Sequence, residues 1–209
     1  PGFEQPEYDC ADWADVAVPA HVQLEGYGVP QNCNTQYPWD GWEDIEPGEI
    51  PERFNPVACY VKTFELPESM KGMPVRVSFQ GAESCVALWL NGRYVGFGSD
   101  SFTPSDFDLT PYLLPGRNKL ACRVYRWWAG SWAEDQDFFR FSGLFRDVYL
   151  YAVPAVHVRD LSIRALLDDD YRDGTLQLCA QMESKGPWQV ELRLTDGERE
   201  IASAAVQGA

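Results

Sequence analysis

The chain holds 209 residues, with 17 Lys and Arg against 32 Asp and Glu, and carries a net charge of −15 at pH 7. That balance argues against a nucleic-acid footprint, which needs clustered basic side chains to displace phosphate counterions, and it disfavours an anionic membrane surface for the same reason. The length suffices for one substantial domain and part of another, and no run approaches the roughly 18 apolar residues of a membrane span.

Residues 1–55 show little alternation: Trp13, Tyr27, Tyr37, Trp39, Trp42 and Phe54 are scattered among Pro, Gly, Asn and acids. They are read as an extended arm wrapped over a sandwich, its aromatics covering the core rather than stacking on sugars. Strand alternation then appears in residues 59–66, in Val75–Phe79 and in Cys85–Leu90, each bounded by Pro, Gly or Asn. Asn91-Gly92 favours the positive φ values of a two-residue hairpin, so it predicts Cys85–Leu90 paired with Arg93–Gly98, with Trp89 on the core side. Residues 119–127 and 146–151 continue the pattern. With 15 prolines, 17 glycines and no long helical periodicity, the class is all-β.

A second rhythm begins near Val153-Pro154. Residues 156–165, 175–183, 188–195 and 200–206 read as four strands, separated by Asp168-Asp169-Asp170, Lys185-Gly186-Pro187 and Asp196-Gly197. Four strands at this spacing suit an immunoglobulin-like sandwich, which needs about seven. The expected organisation is therefore one domain over 1–153 and a partial second over 154–209, whose missing strands lie in a longer parent protein.

The six cysteines, Cys10, Cys33, Cys59, Cys85, Cys122 and Cys179, never form a C-x-x-C pair, so zinc ligation is not indicated. Cys85 and Cys122 fall inside apolar strand patterns, where a free thiol behaves as a small hydrophobe. A reducing, cytoplasmic setting is favoured on this usage. The N-terminus shows no secretory signal, although a chain opening at Pro1-Gly2-Phe3 leaves room for one already removed. His21 and His157 have no Ser or Cys context that would suggest a catalytic triad.

The stretch "WAEDQDFFRFSG" at 132–143 sets Glu134, Asp135 and Asp137 within four residues, against aromatics and Arg140. Such crowding raises the cost of ionisation. Two readings stand: a solvated acidic turn before a strand, or a rigid loop that presents a carboxylate to a polar ligand or metal.

Several motifs follow one another in order: Tyr37-Pro38, Asn55-Pro56 with Tyr60 and Phe64, residues 88–96 "LWLNGRYVG", residues 105–110 "SDFDLT", Gly116-Arg117-Asn118, Glu134-Asp135-Gln136-Asp137 and residues 142–148 "SGLFRDV". In that order and spacing the chain resembles bacterial β-galactosidases of glycoside hydrolase family 2. The resemblance implies a jelly-roll (galactose-binding-like) β-sandwich, then an immunoglobulin-like domain, then a TIM-barrel catalytic domain that this chain lacks. On that barrel two glutamates would perform a retaining double displacement, so no catalytic residue is expected here.

What the resemblance assigns to this chain is a substrate-contacting loop. Asp137 would accept charge-assisted hydrogen bonds from galactose hydroxyls, or hold a monovalent cation, sodium, shared with the sugar; magnesium would belong to the parent barrel. Glu134 and Asp135 would be structural, accepting backbone amides or pairing with Arg140 or Arg146, while Phe138, Phe139 and Phe141 stiffen the loop. A sugar-touching asparagine of the family corresponds to Glu83, in Gly81-Ala82-Glu83-Ser84. An ionised carboxylate accepts hydrogen bonds but cannot donate as an amide does, so ligand contact and a solvent-facing turn acid both stay open for Glu83. Expected partners are a galactoside, the barrel of the same parent chain and further copies of that parent. The alternative from another class is a free-standing lectin or carbohydrate-binding module.

Overall fold

The computed structural model describes residues 2–134 and 137–208. The chain divides into two compact units, Pro1–Ala152 and Val153–Ala209.

The first unit is built on two antiparallel sheets. One has four strands in the order β2 (Val57–Glu65), β7 (Arg117–Tyr125), β4 (Cys85–Leu90) and β5 (Arg93–Gly98), and the other has β6 (Ser105–Asp108), β3 (Val75–Phe79) and β9 (Val148–Ala152). Strand alternation sends Val77 and Phe79 of β3 inward to meet Val86, Leu88 and Leu90 of β4 and Cys122 and Val124 of β7, with Leu109 and Leu144 closing the layer. Burial of these side chains supplies the main driving force, at roughly 25 cal/mol per Å² of apolar surface. All six cysteines are free thiols, and Cys85 and Cys122 are buried as their sequence context indicated. Burial pushes the Cys85 thiol up to about 12, so it packs as an apolar group.

The Asn91-Gly92 hairpin forms as expected: both residues have positive φ, 52° and 77°, and β4 pairs with β5. One detail differs from the sequence expectation. Leu88 and Leu90 face the core, whereas Trp89 points to the opposite face of the sheet, where the Phe3 ring of the arm and the Arg123 guanidinium cover it. Its large ring suggests interior packing, and it is indeed covered, but by the arm. Two asparagines hold the turn from behind. Asn91 donates to Asn118 Oδ1 at 2.8 Å and accepts from Lys119 N at 2.9 Å, while the fully buried Asn118 also brackets Leu114.

The arm, residues 2–55, is fixed by polar contacts at its start and by aromatics further on. Lys119 Nζ donates to the carbonyls of Gln5 (2.6 Å) and Tyr8 (3.0 Å). Trp39 is buried, stacked on Tyr37 and edge-on to Trp127 and Trp132. Not every arm aromatic is cover: Tyr27 and Trp42 are exposed, Trp42 lying flat against Phe54. Strand β1 (Gln31–Cys33) leaves the arm to pair with β8 (Phe138–Arg140), a two-stranded ladder that alternation in such short segments does not announce.

The second unit contains two long hairpins, β10 (His157–Leu167) with β11 (Gly174–Glu183), and β12 (Trp188–Asp196) with β13 (Arg199–Gly208). These match the four segments read from the sequence. In the first hairpin Leu161 and Ile163 stand beside Leu176 and Leu178 on one face, with Ile163 directly opposite Leu178, and all four are exposed.

A Cβ placed at Gly92 would sit 2.8 Å from Gln5 Oε1 and 3.1 Å from Pro6 Cδ, at a φ that β-branched residues avoid. Gly92→Val should therefore lower stability by at least about 1 kcal/mol, seen as a lower melting midpoint; an unchanged midpoint would mean that neither the turn nor the arm's first residues depend on this position.

Candidate functional site

The site is organised by three residues, 142–144, that follow β8. On one side Glu83, in the turn between β3 and β4, exchanges two backbone hydrogen bonds with Gly143, at 3.0 and 3.1 Å. On the other side the arm pairs with the same stretch: Ala20 N donates to Leu144 O at 2.8 Å and Val22 N to Ser142 O at 3.0 Å. Gln23 adds a side-chain clamp, accepting from Ser142 N at 3.0 Å and donating to Ser142 Oγ at 2.8 Å. Gly143 has φ +115°, and a Cβ there would lie 3.0 Å from Tyr60 Oη and 3.1 Å from both Ala20 O and Val22 Cγ1. Only glycine lets both neighbours close on it.

This lashing carries Glu83 inside, so it is no solvent-facing turn acid: the residue is 7% exposed. Ser84 secures the next step, its N–H donating to Tyr125 O at 2.8 Å and its hydroxyl to Arg126 O at 2.7 Å. Burial pushes the Glu83 carboxyl up to about 7; the negative charge of Glu134 acts in the same direction, and Arg126 and Arg140 pull against it. His21 faces Glu83 from the arm, its Nδ1 3.9 Å from Glu83 Oε2. The imidazole is stacked between Phe141, with ring centroids 4.6 Å apart, and Phe145, at 5.2 Å and nearly parallel. Burial lowers the His21 pKa, so the ring is neutral near pH 7.

Two arginines support the floor. Arg126 Nη2 donates to Arg140 O at 2.6 Å and to Val29 O at 3.2 Å, joining β8 to the arm. Arg140 Nη2 donates to Glu134 O at 2.5 Å, with the guanidinium over the Phe138 ring at 4.5 Å. The Glu134 carboxylate accepts from the Trp128 indole N–H at 3.4 Å. Arg146 turns elsewhere and donates to the carbonyls of Phe102, at 2.7 Å, and Gln80. Asp135 lies outside the described residues.

Asp137 stands exposed at the entrance to β8, one residue before the Phe138–Cys33 pair that ties this strand to the arm. It provides one carboxylate. Among the described residues no group of three His, Cys, Asp or Glu is placed to hold a metal, so a cation at Asp137 would need oxygens from the ligand and from residues other than these. Sequence reasoning singled out Glu83, Asp137 and Glu134 but gave no role to His21 or Arg126. His21 sits in the aperiodic arm, where no spacing connects it to a partner 62 positions away.

Residues 5–154 match the family described as "Glycosyl hydrolases family 2, sugar binding domain". The chain is 49% identical over 205 residues to a beta-galactosidase of Halalkalibacterium halodurans, covering 97% of this chain and 20% of that protein. It is 39% identical to the beta-galactosidase large subunit of Leuconostoc lactis, covering 98% of this chain and 34% of the relative. Among solved structures, a beta-glycosidase from Bacteroides vulgatus superposes with a TM-score of 0.72 at 24% identity, over 99% of this chain and 26% of that one, a likeness of fold. The chain thus spans only a minor part of the length of the relatives it matches.

Because the folded-state pKa of Glu83 lies above its ordinary value of 4.5, the folded chain binds this proton more tightly than the unfolded one. The resulting stability is complete below about pH 4.5 and is lost as pH rises through about 7. Glu83→Gln, neutral at every pH, should match wild type at pH 4.5 and exceed it at pH 8, by up to about 3 kcal/mol at ~1.4 kcal/mol for each tenfold change in proton affinity. Melting curves of both proteins across that range measure the difference; parallel curves would place an ionised Glu83 in contact with water.

Proposed function

The chain belongs to glycosyl hydrolase family 2 through its sugar binding domain, and from that premise we propose that it is the N-terminal, non-catalytic part of a β-galactosidase that contributes substrate contacts to a barrel active site carried by the rest of the enzyme. The relatives named beta-galactosidase, at up to 49% identity, support this substrate class. The observation that carries the reading is the presentation of Asp137: an exposed carboxylate set at the start of a strand that is clamped by β1 on one side and by Arg126 and the Gly143 junction behind.

Rigid support matters because a ligand-binding group gains by being held in place before the ligand arrives. Galactose is neutral and rich in hydroxyls, and a fixed carboxylate accepts charge-assisted hydrogen bonds from them. Asp137 is assigned this role, and Glu83 the role of a second contact, from a buried position. Both residues bind and orient the sugar; the bond-breaking glutamates belong to the barrel. A monovalent cation, where present, would add positive charge between Asp137 and the sugar oxygens. The whole enzyme is proposed to work as an assembly of like subunits in the cytoplasm.

The test is steady-state kinetics on the full-length enzyme with a chromogenic β-galactoside. Loss of one partner of a desolvated charged hydrogen bond costs about 2–5 kcal/mol, and each ~1.4 kcal/mol is tenfold in rate. Asp137→Ala should thus lower kcat/KM at least roughly 30-fold while leaving the melting midpoint in place. Activity within a few-fold of wild type, or a loss that tracks unfolding, would reduce Asp137 to a structural acid.

A further inference from the structure

We propose that His21 is a positioning residue for the sugar contact made by Glu83: its Nδ1 lies 3.9 Å from Glu83 Oε2 and, in the tautomer that carries the proton there, sets whether that carboxyl meets a sugar hydroxyl as an acceptor alone or as both donor and acceptor. The inference rests on the assignment of Glu83 as a ligand contact and adds to it a residue from a different part of the chain.

The geometry begins with the arm. Backbone bonds from Ala20 and Val22 to Leu144 and Ser142 bracket His21, and the rings of Phe141 and Phe145 hold its imidazole like a sheet between two plates. The ring has little freedom to turn away. Its Nδ1 is buried and makes no hydrogen bond among the described residues, which is costly for a polar atom, and the acid in front of it is Glu83 at 3.9 Å. A small rotation of the carboxyl closes that gap, as often happens when a site tightens on its ligand.

The charged groups around Glu83 come from each element packed against it: Glu134 from the acidic loop, Arg126 from the end of β7, Arg140 from β8 and His21 from the arm. Burial is the largest influence and Glu134 adds to it, against the pull of Arg126 and Arg140, and the balance favours a neutral carboxyl up to about pH 7. Once that gap closes and Oε2 accepts from His21, the protonated Oε1 is left to donate to the sugar. A protonated carboxyl in this arrangement has one donor and one acceptor facing the ligand, as a side-chain amide would. Ionisation removes the donor. An imidazole N–H that closes on Oε2 when the sugar binds would favour the ionised form, adding to the pull that Arg126 and Arg140 already exert against burial.

Binding, separated from the chemistry of the barrel, is the quantity to measure: the inhibition constant of a non-hydrolysable thio-β-galactoside on the full-length enzyme from pH 5.5 to pH 9. For one proton with a midpoint near 7, the constant should rise roughly fivefold between pH 7 and pH 8. Glu83→Gln should flatten this rise. His21→Phe keeps an aromatic ring between Phe141 and Phe145 but lacks the N–H, and should move the midpoint for binding upward; His21→Gln, which restores an N–H donor, should bring it back toward wild type. Melting curves accompany each variant, and Glu83→Gln together with His21→Gln decides the matter if His21→Phe does not fold. An inhibition constant independent of pH in the wild type, or the same midpoint in all His21 variants, overturns the role of His21 while leaving the substrate assignment intact. An enzyme that binds no thiogalactoside overturns both.

Discussion

Everything at the candidate site hangs on backbone hydrogen bonds made by three consecutive residues. Ser142, Gly143 and Leu144 pair with the arm through their outer carbonyls and with Glu83 through the central glycine. Such bonds contribute only about 1 kcal/mol each in net terms, but leaving a buried backbone group unpaired costs more. The three segments therefore hold together or come apart as a unit. This explains how a buried acid, an aromatic-clamped histidine and a short strand, drawn from regions far apart in the sequence, come to share one corner of a sandwich whose bulk is ordinary aliphatic packing.

The two carboxylates proposed to face the ligand differ in the way they are kept available. Asp137 sits in water, and its position is secured by what lies behind it, the β1–β8 ladder and the arginine contacts. Glu83 is withdrawn from water, and its charge state follows its surroundings. A site that uses both has one hydrated carboxylate and one adjustable hydrogen-bonding group. The enclosure that makes the second adjustable is supplied by the arm, so the arm belongs to the site as much as to the core it covers.

Much of the framework is legible in the sequence because a half-buried strand must alternate. Val75–Phe79 and Cys85–Leu90 appear at the bounds their pattern implies, the Asn91-Gly92 turn adopts the backbone it favours, and the second unit's four strands lie where Pro, Gly and acidic breaks delimit them. Pattern fails where contact is long-range and segments are short. Three-residue strands carry too few side chains for a period, so the β1–β8 pairing is invisible, and Trp89 faces away from the core because a second cover, the arm, lies over the sheet. The acidic stretch advertises Asp137, and the motif order draws attention to Glu83, but the burial of Glu83 depends on Gly143 and the arm, neither of which lies near it in sequence. His21 gives no signal at all: one histidine in an irregular segment becomes informative only when its neighbours in space are known.

Gly143 shows how such a junction would look to someone without coordinates. It has no side chain to touch a sugar, hold a proton or bind an ion, yet its positive φ and the crowding of Tyr60, Ala20 and Val22 around the missing Cβ make any replacement strained. A saturation mutagenesis screen scored by activity would rank it beside residues that carry out the chemistry. Intolerance to substitution would then be mistaken for chemistry. The same screen scored by abundance would separate the two, since a residue needed to join three segments fails at assembly, whereas a residue needed only by the ligand fails after it.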